Sequence, residues 1–260
     1  MVLFEAMEEN LRATMAGFGR ANRLGETRQL PGVAVTSSEV QFAMFNSALL
    51  TSPVANAREL NTRVKQAAEF FRARRMPWSF WLCRDWIAQE ARGRIASVFD
   101  YNRLRLVVEF PGMMAEELRP PSRPLPALAI RRVSEPTTRK DFSLIMSAAF
   151  GLPRPVARAI YESECTWSGG FAGYVGYALD MPVCSAATLV TPGATGLYAV
   201  GTLPGHRNRG CAEAVMRHAL AQAHANGNGG CLVLQSSEAG YALYLKLGYR
   251  PETRYAVFST

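Results

Sequence analysis

Apolar positions in the second half of the chain switch repeatedly between two periods. LAIRRV (128–133) reads as a strand, whereas TTRKDFSLIMSAAF (137–150) and PRPVARAIYESE (153–164) carry apolar residues three and four apart, as two successive helices do. Three short apolar runs follow, FAGYVGYAL (171–179), PVCSAATLV (182–190) and GLYAVGTLP (196–204). The spacers DMP and TPGATG are of hairpin length, so these runs are expected to form an antiparallel meander. Ala212, Val215, Met216, Ala219, Leu220 and Ala223 then lie on one helical face, with Asn226 and Gly227 as its stop. CLVLQ (231–235) is a strand, SSEAGYALYLKLG (236–248) a helix ended by Gly248, and TRYAVFS (253–259) a last strand.

The first half is patterned less clearly. SSEVQFAMFNSALL (37–50) and NARELNTRVKQAAEFFRAR (56–74) have helical spacing. MPWSFWLC (76–83) and RLRLVVEF (103–110) read as strands, the second closed by a PGM turn after which Met113 and Met114 are core residues. RPPSRPLPAL (119–128) holds four prolines, which remove backbone donors and keep the chain extended. The expected organisation is an α/β domain over 1–118, a Pro-rich linker over 119–127 and a second domain over 128–260. The fold class is α/β, an α+β mixed sheet covered by helices. A length of 260 residues suits two domains at roughly 150 residues each.

Composition narrows the possible partners. Net charge is +8 and nearly all the positive charge is arginine, but it is spread along the chain without a dense block of interleaved aromatics. Nucleic acid is therefore not the expected partner, and RARR (72–75) reads as a solvated helix end. An anionic ligand such as a phosphate remains. No apolar run reaches the ~18 to 20 residues of a membrane span, and MVLFEAMEENLRATM carries glutamates where a signal peptide is basic. No membrane partner is expected, and the location expected is cytoplasmic. The five cysteines, Cys83, Cys165, Cys184, Cys211 and Cys231, show no CxxC or Cys/His ligand spacing, so reduced thiols and no metal are expected.

One turn carries chemistry. GHRNRGCA (205–212) joins a strand directly to a helix, an arrangement that leaves the first helical N–H groups unpaired and aimed into the turn. Those donors and the positive end of the helix dipole suit a phosphate or pyrophosphate. Gly210 admits the anion without a Cβ, Cys211 and Ala212 are small, and Arg207 and Arg209 add fork-shaped donors. A GxxxxGK[ST] loop shares the spacing of Gly205 and Gly210, but Cys211 and Ala212 stand where its lysine and hydroxyl must be. A GxGxxG fingerprint with its ribose-binding acid is absent.

This segment resembles the pyrophosphate signature of the GNAT superfamily of acyl-CoA-dependent N-acetyltransferases: Gln or Arg, two residues, Gly, one residue, then Gly or Ala. Arg207, Gly210 and Ala212 match it. YALYLKLGY (241–249) is similar to the family's second marker, about 30 residues on. The resemblance covers the second half and implies that residues 207–212, Asn208, Arg209 and Cys211 included, cradle the pyrophosphate. Val200, Gly201 and Thr202 would offer backbone groups to the pantetheine arm, and Tyr244 would act as general acid. A phenol of pKa ~10 keeps its proton at neutral pH and can give it to a departing thiolate of pKa ~8.5. Ser237 stands where the family often has asparagine and can bond the cofactor, cap its helix, or both.

The implied activity is acetyl-CoA-dependent N-acetylation of a primary amine in a ternary complex, without metal, by a monomer or homodimer. No Asp or Glu lies on 196–203, where the family often has its base; Tyr198, Glu238 or a water chain could serve. That departure keeps a non-catalytic acyl-CoA-binding protein open, as well as an enzyme using a different acyl-CoA. Cys211 has no neighbouring base to activate it for a covalent route. VFDYNRLRLVVEFPGM in the first half runs parallel in character to ALYLKLGYRPETRYAVF. It resembles the divergent N-terminal repeat of tandem GNAT proteins, the alternative being an unrelated α/β cap that shapes the acceptor cleft.

Overall fold

The computed structural model describes residues 3–225 and 230–260, so the helix stop expected at Asn226 and Gly227 lies outside the described residues. The first half runs α1 (Leu3–Gly19), β1 (Glu26–Leu30), β2 (Val33–Ser37), β3 (Asn46–Leu50), α2 (Ala57–Arg74), β4 (Ser79–Cys83), the short helices α3 (Gln89–Arg92) and α4 (Ile95–Tyr101), and β5 (Arg105–Ala115). The second runs β6 (Ala129–Arg132), α5 (Pro136–Phe150), α6 (Arg154–Tyr161), β7 (Ala172–Ala178), β8 (Met181–Thr191), β9 (Ala194–Thr202), α7 (Cys211–Ala225), β10 (Cys231–Gln235), α8 (Glu238–Leu247) and β11 (Arg250–Ser259).

These strands form one mixed sheet in the order β1-β2-β3-β4-β11-β5-β10-β9-β8-β7-β6. Each half makes a three-stranded antiparallel meander, β1-β2-β3 and β7-β8-β9. The third strand of each then pairs in parallel with the strand that follows the next helix, β3 with β4 beyond α2 and β9 with β10 beyond α7. The last strand of each half crosses to the other: β5 pairs antiparallel with β10, β11 with β4, and β5 and β11 with each other at the centre. Residues 119–127 contain no helix or strand.

Alternate residues of a strand face opposite sides of a sheet. On β9, Leu197 packs into a core with Val215 and Met216 of α7, and Tyr198 packs into the core built with Leu11 of α1 and Ile145 of α5. α7 and α8 thus cover one face near the middle of the sheet, and α1 and α5 the other. α1 is fastened by Asn10, whose Nδ2 donates to the carbonyls of Leu189 (3.0 Å) and Ala194 (3.2 Å) and to Thr191 Oγ1 (2.9 Å). Gly196 makes room for it, since a Cβ there would lie 1.9 Å from Asn10 Oδ1. β11 is fastened to the first half by Phe258, stacked on Phe99 of α4 with ring centroids 3.8 Å apart.

Several expectations for the first half need correction. Residues 37–50 are not a helix: they form the end of β2, a bend, one 3-10 turn at Ala43–Phe45, and β3. β3 is buried at every position, so its apolar run has no strand-like alternation. The bend is held by buried Asn46, whose Nδ2 donates to the carbonyls of Val40, Phe42 and Pro77 and whose Oδ1 accepts from the Ser38 N–H. Such side-chain bonds compete directly with a helix. The PGM segment is no turn either, because β5 continues through Pro111 and Gly112 to Ala115. A Cβ at Gly112 would meet Met7 Sδ at 2.5 Å, so α1 passes close over it. Met113 and Met114 are buried as expected. RARR is only partly solvated, for Arg74 pairs with Glu26 and Glu39 and lies over the Phe70 ring. The pattern marks no element before residue 37, yet α1, β1 and β2 lie there.

Since each half lacks the strand that completes its own sheet, the intact chain is expected to melt in one calorimetric transition. Fragments 1–127 and 128–260 made separately should show no cooperative melting. Two resolved transitions in the intact chain would contradict this.

Candidate active site

β9 and β10 share a ladder only from Ala194 to Gly196 and from Cys231 to Val233. Beyond that each keeps its outer neighbour, β8 for β9 and β5 for β10, and the two part. A cleft of about 730 Å³ opens along this gap, between the end of β9, the turn into α7, and α8. Val200, Gly201, Thr202, Arg207, Asn208, Gly210, Cys211, Ala212, Ser237 and Tyr244 all line it. Arg209 does not: it is exposed outside the lining, and acts on the turn only as a nearby charge.

The β9 wall carries a bulge. Ser185 faces Gly201 and Ala187 faces Tyr198, so Ala199 and Val200 together oppose Ala186 alone. Ala199 adopts φ 51°, a left-handed conformation that costs an alanine about 1 kcal/mol or more. Ser185 Oγ holds it by donating to the Ala199 carbonyl at 3.0 Å. The bulge takes backbone groups out of the ladder at Val200, on the cleft wall.

At the mouth lies the 205–212 turn that joins β9 to α7. Asn208 and Gly210 have φ 62° and 84°, and the first i to i+4 helical bond runs from the Ala214 N–H to the Gly210 carbonyl at 3.0 Å. The amides of residues 211–213 precede that bond and need acceptors outside the helix. Arg207 Nε donates to the Thr202 carbonyl at 3.3 Å, folding the guanidinium back against the end of β9. Burial pushes the Cys211 thiol up, so it stays neutral and is no nucleophile at neutral pH.

Tyr244 lies on α8, 8% exposed, and burial pushes its phenol up to about 12. Gly240, one turn earlier, lets the ring lie flat on the helix: a Cβ there would be 2.7 Å from Tyr244 Cε2. Ser237 is the N-cap of α8, its Oγ accepting from the Gly240 N–H at 3.3 Å, and it also lines the cleft. Sequence reasoning missed Arg123, Ala149, Phe150, Glu213, Gly240 and Lys246 in the lining. Gly240 was findable, four residues before Tyr244 on one helical face. Phe150 ends α5, and no local signal directs it here.

Two candidate bases fall away on position. Tyr198 faces the opposite side of the sheet, where its hydroxyl donates to Asn10 Oδ1 at 2.6 Å and burial raises its phenol further. Glu238 is exposed and outside the lining. Glu213, the one carboxylate of the lining among the described residues, is held by Arg217 at 2.8 Å. Beside Tyr198, the fully buried Glu8 of α1 is raised to about 7 by burial, against the opposing pull of Arg12 and the Tyr255 hydroxyl. No group of three or more His, Cys, Asp or Glu placed to hold a metal occurs among the described residues, and none of their helices is long and apolar enough to cross a membrane.

Residues 130–249 match the Acetyltransferase (GNAT) family, and this part of the chain is a GNAT acetyltransferase domain. The match supports acyl transfer as its general activity. No curated protein matches the chain in sequence. Among solved structures, a GCN5-related N-acetyltransferase from Kribbella flavida is similar with a TM-score of 0.71 at 18% identity, over 95% of this chain and 94% of that one. A functionally unknown conserved protein from Staphylococcus epidermidis follows at 0.63 and 13%, over 92% and 95%. A GCN5-related N-acetyltransferase from Sphaerobacter thermophilus gives 0.54 and 15%, over 88% and 76%. At these identities the likeness concerns the fold, which is GNAT-like over both halves.

Glu8 generates a pH prediction. Its folded-state pKa of about 7 exceeds its ordinary 4.5, so folding takes up a proton between those values and stability falls as pH rises through that window. Glu8→Gln should flatten the dependence of melting temperature on pH between 4.5 and 7 and melt higher than the parent at pH 8. An unchanged slope would place the titration elsewhere.

Proposed function

We propose that this protein is an acetyl-CoA-dependent N-acetyltransferase that acetylates a primary amine by direct attack in a ternary complex. The observation carrying this reading is that the β9 bulge, the 207–212 turn and Tyr244 line one continuous cleft. The turn takes the pyrophosphate on its amides and Arg207, and the wall at Val200–Thr202 bonds the pantetheine arm. At the bulge, an unladdered amide polarises the thioester carbonyl and stabilises the developing oxyanion. The amine nitrogen attacks that carbon, the C–N bond forms, and the C–S bond breaks with its electron pair passing to sulfur. Tyr244 gives its proton to the thiolate, and the proton that the attacking nitrogen sheds as the amide forms passes through water to restore the phenol. Before attack the ammonium proton leaves through water, the route left once Tyr198 and Glu238 are set aside.

The first half is read as a repeat of the same fold without its own site. Its counterpart of the phosphate turn, between β3 and α2, is satisfied internally: Asn56 Oδ1 accepts from the Glu59 N–H and Glu59 Oε2 from the Ala55 N–H. Its counterpart of the gap is bridged, with the Val54 N–H bonded to the Trp86 carbonyl and the Ala88 N–H to the Val54 carbonyl. Residues 1–118 and 128–260 are then two repeats, 119–127 their linker.

A second reading, acyl-CoA binding without turnover, is favoured by the engagement of Glu213 with Arg217. Incubation with acetyl-CoA and a panel of amines, following free thiol, separates the two: tight binding without CoA release across the panel supports the second. Gly210→Glu should abolish CoA binding in calorimetry, by bringing a side chain and a negative charge into the turn. Unchanged affinity would refute the pyrophosphate placement. Tyr244→Phe should slow turnover by on the order of 10²-fold with CoA affinity nearly intact, and an unaltered rate would remove Tyr244 from the chemistry.

A further inference from the structure

A second cavity of about 680 Å³ adjoins the cleft and shares Arg123, Asn208, Glu213, Leu243 and Lys246 with it. Its roof is the linker. The Arg119 N–H donates to the Leu247 carbonyl at 2.9 Å, Arg217 Nη2 to the Arg119 carbonyl at 2.6 Å, and Arg123 Nη2 to the Asn208 carbonyl at 3.4 Å. Two glycines admit this path: a Cβ at Gly248 would lie 3.1 Å from Arg119 Cγ, and one at Gly210 would lie 3.2 Å from Pro126 Cδ. The linker thus spans from the end of α8 to the start of α7, and its prolines fix it there.

Four cations line this space: Arg119, Arg123, Arg217 and Lys246. The lining holds one acid, Glu213, and Arg217 occupies it. Among the described residues, Arg119, Arg123 and Lys246 form no ion pair. Like charges gathered around one concavity repel, and a bound anion relieves that cost. Arg123 faces both spaces, directly beside the turn that takes two phosphates. CoA carries a third phosphate, on its ribose.

We propose that this linker-roofed cavity holds the 3′-phosphate of CoA, through Arg119, Arg123 and Lys246, so that the protein distinguishes CoA from its 3′-dephosphorylated form; the inference rests on the acetyl-CoA reading above. A guanidinium fork and a lysine point charge suit a terminal phosphate dianion. The linker then acts as part of the binding site as well as a connection.

Calorimetric titration of the intact protein with CoA and with dephospho-CoA at low ionic strength tests this. CoA should bind at least about tenfold more tightly. Arg119→Ala and Arg123→Ala should each narrow that ratio several-fold, chiefly by weakening CoA. Arg158→Ala, an exposed cation on α6, should leave the ratio unchanged. Equal affinity of the two ligands for the parent protein would overturn the inference while leaving the acetyl-CoA reading intact. So would losses of equal size for both ligands, or the same narrowing from Arg158→Ala. Failure of both ligands to bind would overturn the reading and the inference together.

Discussion

The parting of β9 from β10 beyond Gly196 and Val233 is the constraint on which the cleft depends. Two parallel strands that stop pairing expose backbone donors and acceptors along both inner edges, and burying those groups unpaired is costly. Here each strand retains a partner on its other side. The inner edges therefore part along the cleft, and the β9 bulge takes further backbone groups out of the ladder there. α7 begins and α8 lies at the same opening, so a helix N-terminus, a strand edge and a buried phenol converge on one volume.

The partner that holds β10 in place comes from the other half of the chain. β5 completes the sheet beside β10, and β11 returns the exchange beside β4. α1 adds to it from the opposite face, where Asn10 ties down the β8–β9 hairpin and accepts from Tyr198. The first half thus supports the cleft's geometry without lining it. The turn between β3 and α2 is bonded differently from the turn between β9 and α7. Where the amides of residues 211–213 precede the first helical bond of α7, α2 meets its own first-turn amide at Glu59 with Asn56, and Glu59 accepts from Ala55 just before the helix.

Charge follows the same division. The chain's +8 is scattered in sequence, which argued against a nucleic-acid surface, but folding gathers part of it at the mouth of the cleft. Arg207 comes from the turn, Lys246 from α8, and Arg119 and Arg123 from the linker. Only the first of these stands within the motif that identifies the turn. The others are brought together by the pairing of the two halves, which fixes where the linker must run.

Short-range patterns made much of the second half legible. The β7–β8–β9 meander, α7 with its apolar face, the turn at 207–212 and the helix bearing Tyr244 each depend on residues within 18 positions of one another. Hairpin spacing, helical periodicity and glycine conformation act at that range. Residues 37–50 defeated the same approach because a strand buried on both faces has no alternation, and a single asparagine set the bend before it. By itself, then, the sequence marked the glycine-containing turn into α7, the tyrosine of the cleft and the family of the second half. Only the tertiary structure decided that β5 and β11 trade places, that Tyr198 and Glu238 stand apart from the cleft, and that Arg123 reaches it. Those outcomes follow from pairing and burial between segments more than 80 residues apart, as with Arg123 and Asn208, and no local spacing encodes the energy of such contacts.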